Sequence, residues 1–253
     1  MSKILGVIPA RYSSIRLPGK PLRMIGDKPM IQHTYESANK SVYLDRLVVL
    51  TDDQRIYKVV KDFGGQAELT HENLKSGTDR AAYFANENPE FDIIVNIQGD
   101  EPFIKREIID KSIKPLLQID EVQVSTAATN FQNESDLKNP SMPKVVVDKF
   151  GYALYFSRAI IPYAEKILDI KIFLRHIGLY VYRRDALLQI NKLAQTQLEK
   201  MESLEQLRMI ENGYKIKVEV FQDYDSISVD TDQDLIAANE FFKKLGNENS
   251  QAN

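Results

Sequence analysis

The stretch Asp92-Ile93-Ile94-Val95-Asn96-Ile97-Gln98 limits most strongly what this chain can fold into. Its centre is a nearly unbroken run of β-branched aliphatics rather than an apolar–polar alternation, so a strand here must be covered on both faces. Ile4-Leu5-Gly6-Val7-Ile8 and Arg46-Leu47-Val48-Val49-Leu50-Thr51 have the same character. Between them lie segments of helical spacing. Lys28 to Lys40 carries Met30, Ile31, Thr34, Tyr35 and Ala38 on one face, and a second segment starts after Asp52-Asp53, runs through Lys61 and meets Gly64-Gly65 as a stop. A third runs from Thr78 to Asn86. Fully buried strands alternating with helices predict parallel strands joined by right-handed crossovers. The expected fold class is α/β, with a doubly wound, mostly parallel central sheet.

Further along, a helix is expected from Lys105 to Gln118 and a strand from Val122 to Thr129, before a polar boundary at Asn130 to Pro143. Strands at 144–147, 152–157 and 173–182 are rich in aromatics and partly alternating, the pattern of half-buried strands facing a cleft or a partner subunit. Glu199 to Glu211 reads as one helix stopped by Gly213, Lys215 to Phe221 as a strand and Ile227-Ser228-Val229 as a short strand. Thr231 is placed to cap a last helix over 232–245, and residues 247–253 have no apolar anchor and are expected to be disordered. The chain is expected to form one domain over 1–246, in two parts, 1–130 and 131–246.

Composition narrows the chemistry. With no cysteine, disulfides and thiolate catalysis are excluded, and with three scattered histidines a zinc site is not expected, so any metal must be held by carboxylates. A net charge of −3 gives no general attraction for nucleic acid. No apolar run reaches the roughly 20 residues needed to span a bilayer, and Met1-Ser2-Lys3 leads straight into a strand, so no secretory leader is expected. A cytoplasmic protein with a small anionic ligand is the expectation.

The local cation density lies in Ala10-Arg11-Tyr12-Ser13-Ser14-Ile15-Arg16-Leu17-Pro18-Gly19-Lys20-Pro21, just after the first strand. Arg11, Arg16 and Lys20 suit polyphosphate oxygens and Gly19 permits close backbone approach, although a solvated basic loop has the same composition. It is not a Walker A loop, because Pro21 stands where a hydroxyl is required. Asp100 follows the most buried strand, where ligands of open α/β sheets gather, and Asp230 precedes the last helix; two such carboxylates facing a cationic loop suit a magnesium–nucleotide complex. A turn at Gly99-Asp100-Glu101-Pro102 and a helix cap at Asp230 explain them equally well. Ser76-Gly77-Thr78-Asp79-Arg80 reads as a collar around a base or ribose with Arg80 on phosphate, or as an ordinary N-capped helix. Arg158, His176 and Tyr180 suit a polar sugar pocket, and His176 alternatively suits a satisfied core position.

The ordered set of blocks closely resembles the 3-deoxy-manno-octulosonate (Kdo) cytidylyltransferases. Ile8 to Leu22 matches the opening of that family, and Ser76 to Arg80, Val95 to Pro102, Gly151 to Pro162, Phe173 to Tyr180, Leu204 to Arg208 and Val229-Asp230-Thr231 follow in its order. The resemblance implies a Rossmann-like nucleotidyltransferase that joins CTP and Kdo to give CMP-Kdo and pyrophosphate for lipopolysaccharide biosynthesis. By that analogy Ala10, Arg11, Arg16, Lys20, Ser76, Gly77, Arg80 and Asp100 bind the nucleotide, with Arg11, Lys20, Asp100 and Asp230 carrying catalysis. Asp100 and Asp230 would hold Mg²⁺, and Gln98, Arg158, His176, Tyr180, Glu205 and Gln206 would face the sugar acid. Residues 1–130 would then be the nucleotide-binding half, and 131–246 a smaller sugar-binding and homodimer-forming part. Glu101 favours Kdo over its 8-amino analogue. The alternatives are a cytidylyltransferase for another sugar acid, 8-amino-Kdo or a sialic-acid-like one, and a non-catalytic nucleotide-sugar binding protein.

Overall fold

The computed structural model describes residues 2–13, 16–166, 169–222, 224 and 227–251. In chain order its elements are β1 (Ile4–Ala10), β2 (Met24–Ile25), β3 (Lys28–Pro29), α1 (Met30–Ala38), β4 (Arg46–Thr51), α2 (Gln54–Asp62), β5 (Ala67–Leu69), α3 (Gly77–Glu87), β6 (Ile93–Ile97), α4 (Arg106–Gln118) and β7 (Val124–Asn130). There follow α5 (Glu134–Lys138), β8 (Lys144–Val147), β9 (Ala153–Ser157), β10 (Leu174–Arg183), α6 (Arg184–Ile190), α7 (Gln197–Glu202), α8 (Gln206–Glu211), β11 (Ile216–Phe221) and α9 (Asp232–Gln251).

The strand order is β11-β7-β10-β6-β1-β4-β5. All these pairings are parallel except those of β10, which runs antiparallel between β6 and β7. The α/β class and the mostly parallel sheet are as the apolar runs require. The period of two explains why those runs do not alternate: Ile4 and Ile8 of β1 enter one core layer while Leu5 and Val7 enter the other, and β4 divides Leu47 and Val49 from Val48 and Leu50 in the same way. β8 and β9 form an antiparallel extension attached to the start of β10. No helix among the described residues is long and apolar enough to cross a membrane.

Several local expectations are corrected. The helix foreseen over 199–211 is two helices, α7 and α8, broken where Ser203 takes a left-handed φ of 52°. Arg208 pairs with Glu199 at 2.6 Å, and a continuous helix would hold residues nine apart roughly 13 Å from each other, so the break brings the partners together. Ile227 to Val229 is not a strand; Val229 N–H instead donates to the Asp100 carbonyl at 2.9 Å. The tail expected to be disordered from Asn247 is helical as far as Gln251, because nothing after Gly246 breaks a helix already nucleated, and 252–253 lie outside the described residues. The polar stretch 130–143 contains the short helix α5.

α9 docks on the β2–β3 hairpin. Asn239 Oδ1 accepts from Gly26 N–H at 2.9 Å, its Nδ2 donates to the Met24 carbonyl at 3.2 Å, and Phe242 covers Gly26, which has φ +61°. A methyl group at Gly26 would collide with the Phe242 ring. Gly26→Ala should therefore lower stability by about 1–3 kcal/mol in urea unfolding, and adding Phe242→Ala should relieve the collision component. An unchanged midpoint for Gly26→Ala would contradict this docking.

Candidate active site

The carboxyl ends of β1 and β6 open onto a cleft of about 470 Å³ lined by Ala10, Arg11, Arg16, Lys20, Gly77, Gln98, Asp100 and Asp230, among others. The loop after β1 is folded on itself: Gly19, at φ +66°, donates its N–H to the Tyr12 carbonyl at 3.0 Å, and Lys20-Pro21-Leu22 forms a 3₁₀ turn. Lys20 is thereby aimed into the cleft. Its Nζ lies 2.7 Å from Asp100 Oδ2 and 3.0 Å from Asp230 Oδ1, while Arg16 Nη2 reaches the other Asp230 oxygen at 3.0 Å. Burial alone would lower the Lys20 pKa, but the two carboxylates outweigh it and hold the ammonium above its ordinary value. Arg11 donates Nη2 to the Leu74 carbonyl, and its buried Nε has no hydrogen-bond partner among the described residues. Burial, followed by the neighbouring Arg80, lowers its pKa.

Ala10, Arg11, Arg16, Lys20, Gly77 and Asp100 are thus brought together as the sequence suggests. Two others are not in contact with this cleft. Ser76 spends its hydroxyl on the α3 cap, accepting from Asp79 N–H at 3.0 Å. Arg80, expected on phosphate, is fully buried behind the cleft and bonded to Asp52 and Thr70, because a lone guanidinium in the core requires a counter-charge.

A second cavity of about 510 Å³ adjoins the first and shares Arg16, Gln98, Asp100 and Asp230 with it. Arg158, Arg175, His176, Gly178 and Gln206 line its far side. Behind it lies a smaller cavity of about 180 Å³, which receives Tyr180 and Glu205 together with Thr78 and Arg208. Gln98 and Gln206 line both cavities. The six expected sugar-facing residues therefore divide between two connected spaces. Gln206 Nε2 is buried without a hydrogen-bond partner among the described residues. Burial raises the pKa values of both Tyr180 and Glu205.

Arg158 is placed differently from a free sugar-binding cation. Its Nε, Nη1 and Nη2 donate to the carbonyls of Glu202 (2.7 Å), Pro140 (2.9 Å) and Ser203 (3.2 Å), tying the 139–143 loop to the α7–α8 break. Arg175 and Arg208 line the cavities without having been singled out from sequence. The available signal was a charge next to His176 within an otherwise apolar strand.

His176 Nε2 lies 2.9 Å from Thr126 Oγ1. Because the Thr126 hydroxyl hydrogen goes to the Leu179 carbonyl at 2.6 Å, Nε2 must carry the imidazole proton and donate. Burial pulls the His176 pKa down to about 3, so the ring is neutral near pH 7.

Phosphate-seeking cations at the strand ends, facing paired carboxylates and a second polar cavity, define the site of a nucleotidyltransferase. The family model described as Cytidylyltransferase matches residues 5–216. The chain is 48% identical over 233 residues to the 3-deoxy-manno-octulosonate cytidylyltransferase of Fusobacterium nucleatum, covering 92% of this chain and 94% of that one. It is 49% identical over 244 residues to the enzyme of that name from Leptospira interrogans serovar Lai, covering 96% and 98%. A solved CMP:2-keto-3-deoxy-manno-octonic acid synthetase in complex with CTP superposes with a TM-score of 0.89 at 38% identity, over 96% of this chain and 99% of that one. The chain belongs to the 3-deoxy-manno-octulosonate cytidylyltransferase family.

The depressed His176 pKa has a sign that can be checked. Between about 3 and 6.5 the unfolded chain binds a proton at His176 that the folded chain refuses, so this stability is fully present above pH 6.5 and lost as pH falls toward 3. The slope is at most about 1.4 kcal/mol per pH unit. Urea unfolding at pH 7 and pH 4.5 should show a smaller acid loss for His176→Gln than for the wild type; equal losses would contradict the buried neutral ring.

Proposed function

We propose that this chain transfers CMP from CTP to the anomeric hydroxyl of 3-deoxy-D-manno-octulosonate, giving CMP-Kdo and pyrophosphate. The observation that carries the reading is the meeting of two cavities at Gln98, Asp100, Asp230 and Arg16, one fronted by the cationic loop and the other by polar side chains. The sugar hydroxyl oxygen forms a bond to the α-phosphorus as the bond from that phosphorus to the pyrophosphate oxygen breaks, the bonding electrons leaving with pyrophosphate and the hydroxyl proton passing to solvent. Arg11, Arg16 and Lys20 would neutralise the triphosphate and the departing pyrophosphate. Gln98, shared by both cavities, would orient the reacting groups, and the spaces holding His176, Tyr180, Glu205 and Gln206 would seat the sugar.

Asp100 and Asp230 would hold Mg²⁺. Their convergence on one cation, the Lys20 ammonium, fits that role, and two carboxylates completed by phosphate oxygens and water are a usual magnesium set. Among the described residues no cluster of three or more metal-ligating side chains competes with it. When bound, the ion would supply positive charge to the phosphate oxygens. The exposed apolar side chains Phe150, Leu154, Ile160, Tyr163 and Ile172 around β8, β9 and the start of β10 support a homodimer. A cytoplasmic location accords with the need for CTP. No nucleic-acid or membrane partner enters this reading.

Pyrophosphate release should be fastest with CTP among CTP, UTP, ATP and GTP when Kdo is the acceptor, and no release with CTP and Kdo would contradict the assignment. Asp100→Asn and Asp230→Asn should each lower turnover by about 100-fold or more with the fold retained, and Lys20→Ala should reduce kcat/KM for CTP by the equivalent of ~1.5–3 kcal/mol. Near-wild-type rates in both aspartate variants would contradict the metal assignment. Light scattering on the eluting protein should give twice the chain mass; a monomer would overturn the dimer.

A further inference from the structure

Lys144 is fully buried at the first position of β8, beside the larger cavity. Its Nζ donates to the Asn139 carbonyl at 2.8 Å and to the Arg158 carbonyl at 3.2 Å, and it lies 5.7 Å from the centre of the Phe131 ring. Among the described residues no carboxylate pairs with it. Burial, then the neighbouring Arg158, lowers its pKa, while two carbonyl acceptors favour its charged form.

The sheet register adds a second observation. Lys144 stands directly opposite Arg175 of β10 and Ser157 of β9. Like charges directly opposite one another destabilise a sheet, and a buried ammonium without a counter-ion adds to that cost. Lys144 nevertheless lies behind Arg158 and beside Arg175 at one wall of the cavity, whose lining also carries the carboxylates of Asp100, Glu101, Asp136, Asp230 and Asp234. A wall that concentrates positive charge at a structural cost is suited to an anionic group of the ligand. The loop that Lys144 stitches through Asn139 also supplies Ser141, Met142 and Pro143 to the lining, and the Pro143 carbonyl accepts from His176 N–H at 2.9 Å.

We propose that Lys144 is a positioning residue that makes the cavity select the carboxylate of the sugar acid, through its buried charge and through the loop it holds. It does not touch the substrate. In a water-poor interior its charge is poorly screened and acts across the thin wall formed by residues 139–143 and Arg158. The inference rests on the proposed function and deepens it by assigning the cavity's preference for an acid to a residue outside the lining.

The test uses the whole protein with Lys144→Gln and Lys144→Met, and measures KM for CTP, KM for Kdo and the ratio of kcat/KM for Kdo over its C1 carboxamide. In both variants KM for Kdo should rise by about tenfold and the acid-over-amide ratio should fall by a similar factor, with KM for CTP within about threefold of wild type. Glutamine removes the charge and keeps an N–H donor toward the loop on a side chain one atom shorter, whereas methionine removes both charge and donor. A glutamine variant with wild-type acid preference, equal losses toward both substrates, or failure of both variants to fold by circular dichroism would overturn the inference. Wild-type turnover of Kdo alongside any of these results leaves the proposed function standing, whereas a wild type inactive with CTP and Kdo overturns both.

Discussion

The ion triplet of Lys20, Asp100 and Asp230 is the contact on which the rest of the site depends. Its members come from the loop after β1, the end of β6 and the start of α9, positions up to 210 residues apart. Lys20 is mostly enclosed, and an enclosed ammonium is tolerable only with its counter-charges in place, so the three segments are constrained together. Local bonds hold each partner. Val229 N–H donates to the Asp100 carbonyl at 2.9 Å, and Asp234 Oδ2 accepts from the N–H groups of Asp230 (3.0 Å) and Thr231 (2.9 Å). The docking of Asn239 and Phe242 on the β2–β3 hairpin fixes the helix that carries Asp230.

The antiparallel β10 joins the two cavities. Inserted between β6 and β7, it pairs Leu179 with Ile97 and Tyr180 with Asn96, which brings its residues beside Gln98. Its register with β7 slips between Ile177 and Tyr180. Gly178 lies in that irregularity, and a Cβ there would approach Gln98 Cγ to 3.1 Å, closer than ordinary packing allows. The glycine leaves Gln98 room to line all three spaces. Bulges near functional sites commonly re-aim side chains, and here the bulge lies beside Gln98, where the cavities meet.

Features governed by local chemistry were legible in the sequence. The unbroken aliphatic runs of β1, β4 and β6 required a doubly covered sheet, and the cations after β1 together with Asp100 after β6 marked the cleft at its carboxyl end. Features governed by distant pairing were not. Nothing local in Glu199 to Glu211 showed that Glu199 and Arg208 would fold the helix back at Ser203. Arg80 sat in a motif that implied a phosphate contact, but its partners Asp52 and Thr70 belong to other segments. Arg158 similarly resembled a free cation until the 139–143 loop and the α7–α8 break supplied three carbonyls to it. Ser76 illustrates the opposite case, since the ordinary capping reading accounts for its hydroxyl in full.

The central claim is that the two cavities meet around the α-phosphorus of a nucleoside triphosphate. Incubating the protein and Kdo with CTP labelled separately at the α- and γ-phosphorus, and separating the products, tests it most directly. The α-label should move to the sugar nucleotide while the γ-label leaves in pyrophosphate. A γ-label on the sugar, or an α-label released as free CMP without sugar attached, would contradict the account.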